Sequence, residues 1–262
     1  MRTMAVVNQK GGSGKTTAAV NLAAALVERG LRVALMDLDP QCSATRWLGY
    51  EPLTEQGLSR VLSTGTGMEQ LLLPTGTPGL SLVPGDDWLE ISERRDFDGA
   101  AVPQLVLARA LGGADLHSDL IVIDTPGRLS LLTIAALAAA GEVLVPVPAS
   151  AMELEHVAEL QDTVTEVRAI NPGLPEPNLV PWAVDARTVL ARDVQQRLRE
   201  EFADQVLATP IRKSVRAAEA FAHRQALTRF APHHPLTEDL RSLAATIDQG
   251  ASDANIAARP AS

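Results

Sequence analysis

A glycine-rich turn, Asn8-Gln9-Lys10-Gly11-Gly12-Ser13-Gly14-Lys15-Thr16-Thr17, constrains this chain more than any other stretch. The apolar run Met4 to Val7 ahead of it reads as a buried strand. Behind it, Val20, Leu22, Ala23, Leu26 and Val27 recur at spacings of three and four before Gly30, the pattern of a helix with a glycine cap. A strand that enters a helix through three glycines curls its backbone N–H groups inward, and the helix adds the positive end of its dipole. Such a turn cradles phosphate. Lys15 is placed to reach β- and γ-phosphates, and the Thr16 hydroxyl to ligate Mg²⁺. The usual spacing G-x-x-x-x-G-K-[ST] fails by one glycine, because Gln9 holds that position. Lys10 then opens a deviant loop, K-G-G-x-G-K-[ST].

Two acidic motifs support the same reading. Leu31 to Met36 forms a second apolar strand that runs into Asp37-Leu38-Asp39-Pro40-Gln41, and a β-α-β unit of this length requires a parallel crossover. Asp37 and Asp39 therefore fall at the carboxyl edge of the sheet, beside the phosphate loop. Further on, Asp119-Leu120-Ile121-Val122-Ile123-Asp124 is a strand buried on both faces that ends in an acid, followed by Thr125-Pro126-Gly127. Asp124 suits a carboxylate bound to Mg²⁺ or its water shell, and Gly127 lets the next loop follow a γ-phosphate.

The remaining chain alternates in the same manner. Helical patterns cover Leu58 to Leu62, Met68 to Leu72, Leu105 to Leu111, Leu131 to Ala140, 152 to 169, Arg187 to Phe202 and 236 to 248; strands are expected at Leu80 to Val83, Glu142 to Pro148 and Leu179 to Val184. Pro146 and Pro148 suggest that their strand lies at an edge or ends abruptly. Trp88, Leu89 and Ile91 are read as packing a short helix. The architecture implied is one doubly wound α/β domain, a mostly parallel sheet with helices on both faces over residues 1–249, with a frayed polar tail over 250–262.

Composition excludes other classes. The 262 residues hold one cysteine, Cys42, so no internal disulfide can form, and neither an export signal nor a membrane-length apolar run is present. A reducing cytoplasm is the expected compartment. The net charge of −9 argues against a generally basic nucleic-acid binder. Yet Arg212, Lys213, Arg216, Arg224 and Arg229 face the single acid Glu219 between 205 and 230, the most basic window of the chain.

The set Lys10-Gly11-Gly12-Ser13-Gly14-Lys15-Thr16-Thr17, Asp37-Leu38-Asp39-Pro40-Gln41 and Asp124-Thr125-Pro126 resembles the ParA/Soj partition ATPases, in the deviant P-loop class that includes MinD. Val145-Pro146-Val147-Pro148, Asp185-Ala186-Arg187-Thr188 and the segment from Ile211 to Ala220 extend the likeness in the same order. The resemblance implies slow ATP hydrolysis with Mg²⁺ and an ATP-dependent homodimer in which Lys10 reaches the partner's nucleotide. Gly11 to Thr17 would hold the phosphates, with Lys15 and Thr16 acting in cis. Asp39 would position water, and Asp37 and Asp124 would stand around the metal. It also implies nonspecific double-stranded DNA binding through Arg212, Lys213 and Arg216, stimulation by a ParB-type adaptor, and nucleoid association in the cytoplasm. A relative that positions another cargo on the nucleoid would share all of these features. A MinD-like membrane cycle would need a basic amphipathic C-terminal helix, which the sequence after Gly250 does not pattern, so no stable membrane association is expected. Two departures stand out: Cys42 replaces a common glycine, and Gly127-Arg128 replaces Pro-Ser.

Overall fold

Alternating side-chain direction along five apolar strands decides the architecture. Met4, Val6, Val33, Leu35, Leu120 and Val122 enter one buried cluster, while Ala5, Val7, Ala34, Met36, Ile121 and Ile123 enter another. Because successive strand residues point to opposite faces, a strand apolar at every position must be covered on both sides. Helices provide that cover. The computed structural model describes residues 1–53, 57–150 and 153–257.

The strands are β1 (Arg2–Val6), β2 (Val33–Asp37), β3 (Leu73–Pro74), β4 (Leu80–Val83), β5 (Leu120–Asp124), β6 (Glu142–Pro148) and β7 (Asn178–Trp182). They form a seven-stranded sheet in the order β3-β4-β2-β5-β1-β6-β7, parallel throughout except for the short β3. The helices are α1 (Lys15–Glu28), α2 (Ser43–Trp47), α3 (Leu58–Thr64), α4 (Leu89–Arg94), α5 (Asp96–Gly99), α6 (Val106–Gly112), α7 (Leu131–Ala139), α8 (Glu153–Val167), α9 (Val189–Phe202), α10 (Arg216–Ala222), α11 (Leu227–Phe230) and α12 (Pro235–Ala257). Side chains of α1, α2 and α10 to α12 pack in the first cluster, and those of α3 and α6 to α9 in the second. The doubly wound fold read from the sequence is the fold observed.

Three expectations change. β6 lies inside the sheet, between β1 and β7, and ends at Pro148, so of the two readings of its prolines the strand end holds and the edge does not. Its prolines are tolerated because β1 ends opposite Leu144, so Pro146 lies beyond that ladder, and its carbonyl accepts the Asn8 side-chain amide at 2.8 Å instead. Trp88 is 46% exposed and Ile91 39% exposed, leaving Leu89 as the residue of that trio that packs inward. Finally, α12 continues to Ala257, past the boundary read at 249, while 258–262 lie outside the described residues, as does residue 152 at the expected start of α8.

The β5 insertion between β2 and β1 matters most for function. It sets Asp37 level with Asp124 on neighbouring strands and Asp124 level with Val6, the last residue of β1 before the phosphate loop.

Candidate functional site

The loop leaving β1 is held open from both ends. Asn8 accepts the Lys10 N–H at 2.8 Å while donating to Pro146, which pins the loop's start to β6. At the other end Gly12 and Gly14 adopt φ of 77° and 95°, a region where a side chain is strained. Gly14 faces a second demand, since a Cβ there would lie 2.2 Å from the Trp182 indole nitrogen. The result is an open cavity of about 530 Å³ whose wall includes Gly11, Gly12, Gly14, Lys15, Thr16, Thr17, Asp39, Gly127 and Arg128. Ser13 is buried behind it.

Lys15 is only 6% exposed, and its ammonium donates to the Lys10 carbonyl at 3.1 Å and to Ser13 Oγ at 3.3 Å. Burial lowers its pKa, and the charges of Asp124 and Asp39 oppose that fall. Both of its hydrogen-bond partners are neutral oxygens, and the opposite charges that act on it are those of Asp124 and Asp39.

Below it lie the acids. Asp37 and Asp124 are fully buried. Asp37 Oδ2 accepts the backbone N–H and the hydroxyl of Thr45, each at 2.7 Å, but among the described residues its Oδ1 and both oxygens of Asp124 have no hydrogen-bond partner. Burial raises both carboxyl pKa values, and neighbouring carboxylate charge raises them further; the Thr45 bonds offset this at Asp37, as the nearby Thr16 hydroxyl does at Asp124. Orphaned buried carboxylate oxygens are the donor set of a cation site. Thr16, Asp37 and Asp124 fit Mg²⁺, a hard ion that takes oxygen ligands. Among the described residues no cluster of three or more His, Cys, Asp and Glu could hold a metal alone.

Asp39 stands at the cavity rim. Its Oδ1 accepts the Gln41 N–H at 2.9 Å, which leaves Oδ2 to accept from water. Burial raises its pKa, against the Gln41 bond and the charges of Lys15 and Arg128.

The sequence reading missed the partners of two cations. Lys10 donates at 2.7 Å to Glu153, a fully buried carboxylate at the start of α8, so within this single chain it is folded back against its own subunit. Ser150 and Glu153 match the S-x-x-E signature of a helix start, although here the Ser150 hydroxyl donates to the Glu153 carboxylate at 3.0 Å and the Glu153 N–H goes to the Ser150 carbonyl. That signal was visible. Arg128 donates at 2.6 Å to Glu93, whose other oxygen accepts the Leu132 N–H in the first turn of α7. Nothing in the spacing of Glu93 announces that role.

Cys42, where a glycine is common, sits at φ 51° and is fully buried. Burial pushes its thiol pKa well up, and its sulfur fills the space beside Gly85.

The basic window looks different from its sequence. Arg212 makes a two-pronged pair with Asp239 at 2.7 and 2.8 Å, Arg216 pairs with Glu219 at 2.7 Å, Arg224 contacts Glu51 at 3.4 Å, and Arg229 donates to the Gly76 carbonyl. Lys213 is exposed and makes no salt bridge among the described residues. It sits beside the end of β7, bonded through its backbone to Val184 at 3.0 Å.

Fold and site together define a P-loop nucleotide-binding protein with the deviant two-lysine loop. A family model described as an AAA domain matches residues 1–175. The chromosome-partitioning ATPase Soj of Thermus thermophilus is 41% identical over 247 residues, spanning 93% of this chain and 94% of that protein. The sporulation initiation inhibitor protein Soj of Bacillus subtilis is 35% identical over 88% of this chain and 92% of its own. Among solved structures, one described as cobyrinic acid a,c-diamide synthase from Mycobacterium smegmatis, with bound ATP analogue and magnesium, superposes with a TM-score of 0.83 at 31% identity over 94% of each chain. The chain belongs to the ParA/Soj family of partition ATPases.

Proposed function

We propose that this chain is a Mg²⁺-dependent partition ATPase that dimerises on ATP, holds nonspecific double-stranded DNA and hydrolyses ATP faster when a ParB-type adaptor binds. One observation carries the nucleotide part: Lys15, in the wall of the phosphate-loop cavity, feels the charges of Asp124 and Asp39, and buried oxygens of Asp37 and Asp124 have no hydrogen-bond partner among the described residues. A nucleotide phosphate and its cation would bring the counter-charge that each of these groups can take. The relatives' identity over nearly their full length supports the partition part.

The roles follow from position. Gly11 to Thr17 bind the phosphates through N–H groups and the α1 dipole, and Lys15 neutralises them in cis. Thr16, Asp37 and Asp124 would hold Mg²⁺, which supplies charge neutralisation at the phosphates when bound. Asp39 orients the attacking water through its uncommitted oxygen. Lys10, 42% exposed, can leave Glu153 and cross to a second copy's nucleotide, as a cation supplied in trans does in other phosphoryl-transfer sites. Coupling closure to that lysine makes turnover depend on the dimer. Lys213 anchors the DNA contact, and two subunits double it.

The test is calorimetry of the purified chain with ATP and Mg²⁺, followed by sedimentation. Asp39→Ala should bind ATP, hydrolyse it poorly and accumulate dimer. A chain that binds no ATP overturns the reading, and wild-type turnover in Asp39→Ala overturns the water-positioning role.

A further inference from the structure

Arg128 is the cation of the nucleotide cavity that no part of the roles above employs. It follows Gly127, whose Cα packs so closely on the phosphate loop that a Cβ would come within 3.1 Å of Gly11 Cα and 3.4 Å of the Lys15 ammonium. The loop that carries Arg128 is therefore seated directly on the phosphate cradle. Asp39 lines the same cavity, and the charge of Arg128 acts on it. That places the arginine near the acid that would position the attacking water.

The side chain is also fixed. Thr133 Oγ1 bonds the Arg128 carbonyl at 2.8 Å, and buried Glu93 holds one guanidinium nitrogen at 2.6 Å while its second oxygen caps α7 through Leu132 at 2.9 Å. A guanidinium has five N–H donors in a rigid fork, and the bond to Glu93 occupies one. With 55% of the side chain accessible at the cavity rim, the remaining donors are available to an anion. Were Arg128 there only to neutralise Glu93, a rigid fork at the rim of this cavity would be incidental.

We propose that Arg128 is a phosphate-contacting residue supplied by the chain's own loop, with Glu93 as its positioning residue, and that it reads the terminal phosphate of ATP. The proposal rests on the ATPase reading above. It predicts that this chain recognises the triphosphate partly in cis, before any lysine arrives from a second subunit. A charge-assisted contact to one phosphate that ADP lacks should appear as discrimination between the two nucleotides.

The experiment compares Arg128→Gln, Arg128→Lys and Glu93→Gln in the full chain with Mg²⁺, measuring affinity for ADP and for a non-hydrolysable ATP analogue, together with thermal stability. Arg128→Gln should weaken the analogue about tenfold and ADP less than about twofold, as expected for loss of one charged hydrogen bond. Arg128→Lys should recover part of the loss, and Glu93→Gln, which keeps the cation but loosens it, should fall between. Equal weakening of both nucleotides overturns the proposal. So does a fall in melting temperature with the affinity ratio unchanged, which would leave Arg128 as a structural ion-pair partner. If the wild-type chain binds neither nucleotide, the ATPase reading falls first and this proposal with it; a failure confined to the variants removes only the role of Arg128.

Discussion

The phosphate loop and the basic window from 205 to 230 hold the chain's most noticeable positive charges, yet the fold treats them oppositely. In the loop, Lys15 is buried with two neutral oxygen partners and no carboxylate bonded to it. In the window, Arg212 and Arg216 are matched to Asp239 and Glu219, one of them supplied by α12 from outside the window. A charge in a built cavity with no carboxylate hydrogen-bonded to it is an unfinished interaction that a ligand completes. A charge already paired on the surface contributes little to anyone else. Counting cations along the sequence cannot separate these cases.

The largest effect that would break this contrast is at Lys15. Lys15→Ala should lower ATP affinity and turnover by roughly a hundredfold or more, the scale of removing a preorganised charge donor from its site. Calorimetry and single-turnover hydrolysis would show it, and a small effect would mean that the cavity does not use its buried cation.

Lys10 tests the intermediate case, a cation that has a partner and is expected to leave it. Lys10→Ala should abolish ATP-dependent dimers in sedimentation. It also strands Glu153, fully buried, and so should cost stability of about 1–3 kcal/mol. The double variant Lys10→Ala with Glu153→Gln should recover the melting temperature without recovering the dimer. Glu153→Gln alone should dimerise at lower ATP, because the lysine is no longer held at home. Recovery of dimers in the double variant would place the lysine's role in folding and not in closure.

A smaller effect sharpens the other side of the comparison. Lys213→Glu should weaken binding to random duplex and lower the salt slope by about one for each phosphate no longer neutralised, with little change in melting temperature. Arg212→Glu should show the reverse emphasis, a lower melting temperature from the conflict with Asp239. If Arg212 dominates the salt slope, its ion pair opens on DNA.

The smallest effect belongs to Cys42→Gly. Glycine relieves a left-handed conformation that costs a side chain about 1 kcal/mol, and it forfeits a buried thiol of similar worth, so stability should move by less than about 1 kcal/mol. Calorimetric melting would detect more. Nucleotide affinity should stay unchanged.

Much of the fold was legible because its signals are local. The strands Leu80–Val83 and Glu142–Pro148 lie where the periodicity put them, and α1 ends at Glu28, just before the Gly30 that the pattern marked as its cap. The burial of β2 and β5 on both faces followed from their unbroken apolar runs. What misled was context. Pro146 signals an edge only if a neighbouring strand needs an N–H at that position, and β1 has already ended there. Trp88 reads as core only if its helix turns that face inward, and it does not.

By itself the sequence determined the phosphate loop, the two strand-end acids and the doubly wound architecture, because glycine geometry, hydrophobic period and strand polarity act over a few residues at a time. Only the tertiary structure decided that β5 enters between β1 and β2, which brings Asp37 beside Asp124. It also decided which cations are taken: Glu153 holds Lys10 across 143 positions of sequence, Glu93 holds Arg128, and Asp239 holds Arg212. An ion pair forms wherever the chain's packing brings opposite charges within a few ångströms, and no local rule of sequence contains that distance.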